Sequence, residues 1–227
     1  MFSVSESWQS AFPGAHAGIL AMRGAANPAH HQGLDDRKRQ VQDQVRARFA
    51  GLDRRAIEAL PAIQAYDAHY KRFKKTYHVQ LQLESIAFKD KSIPSVAALV
   101  EAMFVAEVKN MLLTAGHDLD SVRLPVTLDV STGTERYTLL RGQEQVLKAG
   151  DMLMTDREGI ISSVLYGPDQ RTQITAGTQN VLFAVYAPAG IDEAAVYQHL
   201  RDIRDNVALV APAARVEMLQ VFGAQPV

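Results

Sequence analysis

The stretch "SIPSVAALVEAMFVAEVKNMLLTAG" (residues 92–116) constrains this chain more than any other. Its apolar residues cover nearly the whole circumference of the helix it predicts, so that helix belongs in the centre of the protein with other elements around it. Ser92 or Pro94 is expected to open it and Gly116 to stop it. Glu101, Glu107 and Lys109 interrupt the apolar run, and three charges in that length argue against a membrane span. A glutamate buried there needs a partner or an opening to water. Burial of Glu107 with a raised pKa would make it an acid–base candidate.

Around this helix the pattern changes along the chain. "HAGILAMRGAAN" predicts a buried strand carrying Ile19, Leu20 and Met22. Leu34, Val41, Val45 and Phe49 recur at helical intervals in a polar stretch, giving an exposed amphipathic helix. Asp53 is a helix N-cap, and Pro61 sits where a first helical turn accepts it. From Leu124 onward the period becomes two, with Val126, Leu128 and Val130 on one face, and "DMLMTDREGIISSVLYG" reads as a hairpin through residues 156–159. "NVLFAVYAP" is apolar throughout, as a strand covered on both faces would be. A last amphipathic helix is expected over 192–210. Helices come first and strands later, the order of an α+β fold.

Composition narrows the function classes. Of 227 residues, 47% are hydrophobic and 22% charged, ordinary values for a globular chain. A net charge of −1 gives no global attraction to RNA, DNA or an anionic membrane, so any nucleic-acid binding needs a local basic face. The cluster Lys71, Arg72, Lys74 and Lys75 is the candidate. It is either a solvated helix end favoured by the dipole or a phosphate-contacting patch with Tyr66, Tyr70 and Tyr77 interleaved. The absence of cysteine excludes thiolate metal sites, iron–sulfur clusters and a cysteine nucleophile. "MFSVSESWQSAFPGAH" has no basic segment leading into an apolar core, so a cytoplasmic location is the expectation.

The phrases "AYDAHYKRF", "LESIAF", "GHDLD", "RGQEQVLKAGDMLMTDREG" and "TAGTQNVLFAVYAP", in that order, resemble the editing (tRNA-binding) module of the bacterial phenylalanyl-tRNA synthetase β subunit and its free-standing relatives. The resemblance implies a three-layer α+β fold with a large mixed β-sheet and helices packed on it. In that frame residues 1–60 complete a main body of 61–227 within one domain. In the synthetase the module hydrolyses tyrosine wrongly attached to the phenylalanine tRNA. Nothing here matches the adenylate-forming or anticodon-binding parts, so hydrolysis or binding of mischarged aminoacyl-tRNA in trans is expected, with no cofactor. The alternatives are a non-catalytic module for RNA or an amino-acid-like metabolite, and a small-ester hydrolase. DNA and membrane partners are not expected. Aligned on Asp118, the synthetase's pocket Thr-Asn pair falls on Met103 and Phe104 and its pocket His on Ala115. The Glu that reads the tyrosine hydroxyl falls near Ala184. A ligand other than tyrosine follows.

Candidate site residues come from two stretches. In "LLTAGHDLDSVRLP", His117 beside Asp118 is a candidate catalytic base and orienter. The same residues read as a helix-to-strand connection in which Asp118 satisfies backbone donors, or as metal ligands joined by His16, His30 and His31. The spacing alone fixes no metal geometry, and no metal is expected. In "VLYGPDQRTQITAGT", Tyr166 and Gly167 are candidates for the pocket wall, and Arg171 and Thr172 for contacts to a carboxylate or phosphate. Glu84 and Glu101 read as structural partners of buried donors.

Overall fold

The computed structural model describes residues 2–224. "NVLFAVYAP" forms β10 (Val181–Ala187), buried at every position. It lies inside a four-stranded antiparallel sheet between β2 (His16–Arg23) and β3 (Thr114–Asp118), with β11 (Arg215–Gly223) on the outer side of β2. The second sheet is mixed and five-stranded. It runs β1 (Phe2–Val4), β4 (Val126–Val130), β7 (Met152–Asp156), β8 (Gly159–Ser163) and β9 (Gly167–Pro168), parallel only between β1 and β4. A ribbon of β5 (Arg136–Thr138) and β6 (Glu144–Val146) completes the strands.

Period two on β2 builds the layers. Gly18 faces α7 (Glu193–Val210) so closely that a Cβ would stand 2.7 Å from Val196 Cγ1. Its neighbours Ala17 and Ile19 point the other way, across a small void from Val126, Leu128 and Met154 of the five-stranded sheet. Helices thus cover one face of the four-stranded sheet and the second sheet covers the other, the α+β arrangement expected. The remaining helices are α1 (Glu6–Ala11), α2 (Gln32–Arg48), α3 (Arg54–Glu58), α4 (Pro61–Lys71), α5 (His78–Lys89) and α6 (Ala98–Asn110).

The central helix, α6, is shorter than its apolar run. It begins at Ala98 because the loop at Asn27–Pro28 supplies acceptors there. Asn27 Oδ1 accepts from Leu99 N at 2.9 Å, and the Pro28 carbonyl from Ala98 N at 3.0 Å. It ends when Met111 turns left-handed at φ 61°. The stop expected at Gly116 is therefore misplaced, and "GHDLD" is no helix-to-strand connection: Gly116, His117 and Asp118 are already in β3, paired with Phe183, Leu182 and Val181. Sequence reading also placed no strand beyond residue 210, where β11 forms. Its half-exposed residues show no clean alternation, as suits a strand on a sheet edge.

Lys38, buried on α2, joins Glu101 of α6 at 2.6 Å and Asp35 at 2.7 Å, while Glu101 Oε1 accepts from Val96 N. Glu84 likewise accepts from Arg54 and Gln80 at 2.8 Å. Removing one partner of a buried pair strands the other charge, at a cost of about 3–5 kcal/mol. Glu101→Ala is expected to lower unfolding free energy by that amount in urea titration. Pairing Lys38→Met with Glu101→Leu recovers part of it.

Candidate functional site

A cavity of about 530 Å³ opens between α6, β3 and the segment from Ser163 to Ile174. Its wall is mostly apolar, with Val100, Met103 and Phe104 from α6, Leu113 and Ala115 from the strand side, and Ile174 opposite. Gly116 makes this closeness possible: a Cβ there would stand 2.7 Å from Ile174 Cδ1 and 3.1 Å from Met103 Sδ. Polar groups are few: Glu107, Thr114, Ser163, Tyr166, Gln173 and Tyr186, with His78 among them. A concave apolar site with a handful of placed polar groups is the usual form of a small-molecule pocket.

Glu107 is the most perturbed of them. Burial pushes its carboxyl up to about 8, opposed by one hydrogen bond, Thr114 N to Oε1 at 2.7 Å. Under the same wall lies Asp151, fully buried and raised to about 7 by desolvation. The Ser163 hydroxyl, the Leu165 N–H and the Lys75 ammonium face Asp151. None reaches bonding geometry, and both carboxyl oxygens lack a hydrogen-bond partner among the described residues. The Lys75 ammonium instead sits 4.0 Å from the centre of the Tyr166 ring and donates to the Leu165 carbonyl at 3.2 Å.

The residues singled out in the sequence fall in different places. Tyr166 and Gly167 line the cavity, as do Met103, Phe104 and Ala115. His117 is fully buried away from the lining. Its Nδ1–H donates to Thr172 Oγ1 at 2.8 Å, because that hydroxyl donates onward to Asp169. This leaves Nε2 bare, and desolvation, with Arg171 nearby, drives the imidazole down to about 3. Such a ring stays neutral and packed, and Thr172 is its buried support. Asp118 accepts from Asp120 N at 3.0 Å and from the Thr178 hydroxyl at 2.6 Å, holding the chain at the strand end. Arg171 is taken up by Asp156 at 2.8 Å and the Ser121 carbonyl at 2.9 Å. His16, His30 and His31 do not gather with these: His16 bonds the Ile191 carbonyl and His30 pairs with Asp35. No cluster of three potential metal ligands occurs among the described residues.

The basic cluster divides in the same way. Lys71, Lys74 and Lys75 line an open groove of about 740 Å³ with Arg54, and Lys71 is paired with Asp67 at 2.6 Å. Arg72 lies over the rings of Phe12 and Phe73. The interleaved tyrosines are not free to stack on bases. Tyr66 and Tyr77 stack on each other at 4.1 Å, and each of the three hydroxyls donates to a backbone carbonyl inside the protein. Sequence inspection missed Val100 and Ser163 as wall residues, since nothing in their spacing marks a cavity formed by distant segments, while Gln173 and Ile174 lie within the stretch assigned to the pocket by resemblance without being singled out in it.

A helical layer, a four-stranded sheet and a second, mixed sheet, with a cavity beside the buried helix α6, define an α+β domain. The sequence profile of the B3/4 domain family matches residues 64–221, and the chain belongs to that family. This bears out the resemblance to the synthetase module. Among solved structures, an N-terminal fragment of the phenylalanyl-tRNA synthetase beta subunit from Pyrococcus horikoshii shares the fold at a TM-score of 0.51 and 12% identity. The match covers 97% of this chain and 53% of that one, so this chain spans about half the fragment's length. No curated protein matches. No helix among the described residues is long and apolar enough to cross a membrane.

The buried groups set a pH profile. Native Glu107 and Asp151 keep protons that the unfolded chain releases above its ordinary carboxyl range, so stability falls as pH rises toward 7–8. His69, His117 and His199, held by desolvation at about 4, 3 and 3, refuse protons that the unfolded chain takes up below 6.5, so stability also falls with acidification. Urea midpoints measured from pH 5 to 8 are expected to peak at about pH 6, with Glu107→Gln removing roughly half of the alkaline decline.

Proposed function

We propose that this chain binds the aminoacyl end of a tRNA, with the amino-acid side chain in the apolar cavity, and hydrolyses the ester in trans. The observation that carries this reading is Lys75. It lines the basic groove, and its ammonium rests on Tyr166, which lines the cavity. A phosphate-bearing chain along Lys71, Lys74 and Lys75 would therefore lead toward the pocket mouth. Membership of the B3/4 family supports the same direction.

In the reaction, water adds to the ester carbonyl, the carbonyl–ribose oxygen bond breaks, and the ribose oxygen takes the proton. The neighbouring ribose hydroxyl assists, and the cavity's share is to orient the ester and exclude bulk water, so no strong protein base is required. That agrees with the position of His117, neutral and outside the lining. With Met103, Phe104 and Ala115 where the synthetase carries Thr, Asn and His, the side chain received is apolar rather than phenolic.

The test is deacylation of bulk tRNA charged with a panel of amino acids. Selective loss of one apolar amino acid is expected, with tyrosine on the phenylalanine tRNA largely spared. No loss across the panel by folded protein contradicts hydrolysis. Lys71→Glu with Lys74→Glu is expected to weaken tRNA binding by roughly tenfold at moderate salt and to flatten its salt dependence by about one to two units of slope. Unchanged binding would move the reading to a small amino-acid-like ligand.

A further inference from the structure

Helix α6 carries two buried glutamates, and they are treated differently. Glu101 has its cation, Lys38, at 2.6 Å. Glu107, a turn and a half further on, has only the Thr114 N–H on Oε1, and no cation contributes to its surroundings. It faces the cavity, where it is the only carboxyl among the described lining residues and where no lysine or arginine occurs.

The groups packed around Glu107 do not supply the missing charge. Tyr66 accepts from Leu113 N and donates to the Tyr186 carbonyl, and Tyr77 donates to the Met111 carbonyl. Thr114 turns its hydroxyl to His199, which is buried and neutral. His78 is the one lining side chain able to become cationic, and desolvation lowers its imidazole from the ordinary value, so it adds no cation at pH 7. A buried carboxyl without a counter-ion is costly to ionise, and a charge-assisted hydrogen bond from a ligand removes that cost.

We propose that Glu107 receives the ammonium group of the ligand, so that the cavity selects a primary amine attached to an apolar side chain. This rests on the cavity chosen above but not on tRNA, and it names what an aminoacyl ester would offer there: its α-ammonium. The apolar wall of Val100, Met103, Phe104 and Ile174 takes the side chain, and Glu107 discriminates the amine from neutral or anionic molecules of the same shape.

The experiment is titration calorimetry at pH 7 with phenethylamine and isoamylamine against 2-phenylethanol and isoamyl alcohol, each in phosphate and in Tris. The amines are expected to bind at least ~10-fold more tightly than the alcohols. Since native Glu107 holds its proton at this pH, amine binding is also expected to release up to one proton, read from the difference between buffers. Glu107→Gln keeps an acceptor for Thr114 N, so the fold is retained while amine preference and proton release disappear. Equal binding of amines and alcohols, binding of neither, or proton release that persists in Glu107→Gln overturns the proposal. If the variant does not fold, the wild-type amine–alcohol comparison decides alone. An amine-selective cavity in a protein that leaves every aminoacyl-tRNA intact refutes the tRNA reading and sustains this one. A selective deacylase with no amine preference does the reverse.

Discussion

The close approach of α6 to β3 is the constraint on which the rest of the molecule depends. At Gly116 the strand offers no side chain, and Ile174 and Met103 close over it to within ordinary contact distance of the backbone. Immediately before, Glu107 reaches across the left-handed turn at Met111 to accept from Thr114 N. Tyr66 holds the same junction from below, its hydroxyl between Leu113 N and the Tyr186 carbonyl. These contacts fix the edge strand next to β10, and the cavity is the space left between that edge and the returning segment from Ser163 to Ile174.

The fold was legible in the sequence wherever a periodicity reported burial. The unbroken apolar run from Val181 marked a strand covered on both faces, and the all-round apolar helix marked the centre. What stayed hidden depended on partners far away in sequence. The start of α6 is set by Asn27, about seventy residues earlier, and local signals at Ser92 and Pro94 carry no trace of it. The run from Leu112 to Ala115 is as good a helix as a strand by composition, and the register with β10 decides it. For the site the division is similar. Tyr166 and Gly167 could be placed on the wall by resemblance. His117 beside Asp118 looks like a base and its orienter on paper, yet strand geometry directs the imidazole to Thr172 and the carboxylate to Thr178.

Electrostatics then separates structure from recognition. Most charges on helices and loops are answered within the protein: Lys38 by Glu101 and Asp35, Arg171 by Asp156, Lys109 by Asp202. Glu107 and Asp151 are answered least, and both lie at or beneath the cavity wall. Desolvated carboxyls without counter-ions concentrate at working sites more than in packed cores. Lys75 faces Asp151 but not Glu107, and its ammonium is shifted downward by burial and by Lys148, against the pull of Asp151. The apolar cavity with its lone carboxyl and the basic groove are separate hollows, linked by the Lys75 ammonium resting on the Tyr166 ring.

The most direct measurement of this account is a structure of the protein with a non-hydrolysable 3′-aminoacylamino-adenosine bearing a branched apolar side chain. The account predicts the side chain against Met103, Phe104 and Ile174, the ammonium at Glu107, and the adenosine on the Tyr166–Lys75 side. An analogue seated outside the cavity, or inside it with the side chain turned to solvent, would contradict it.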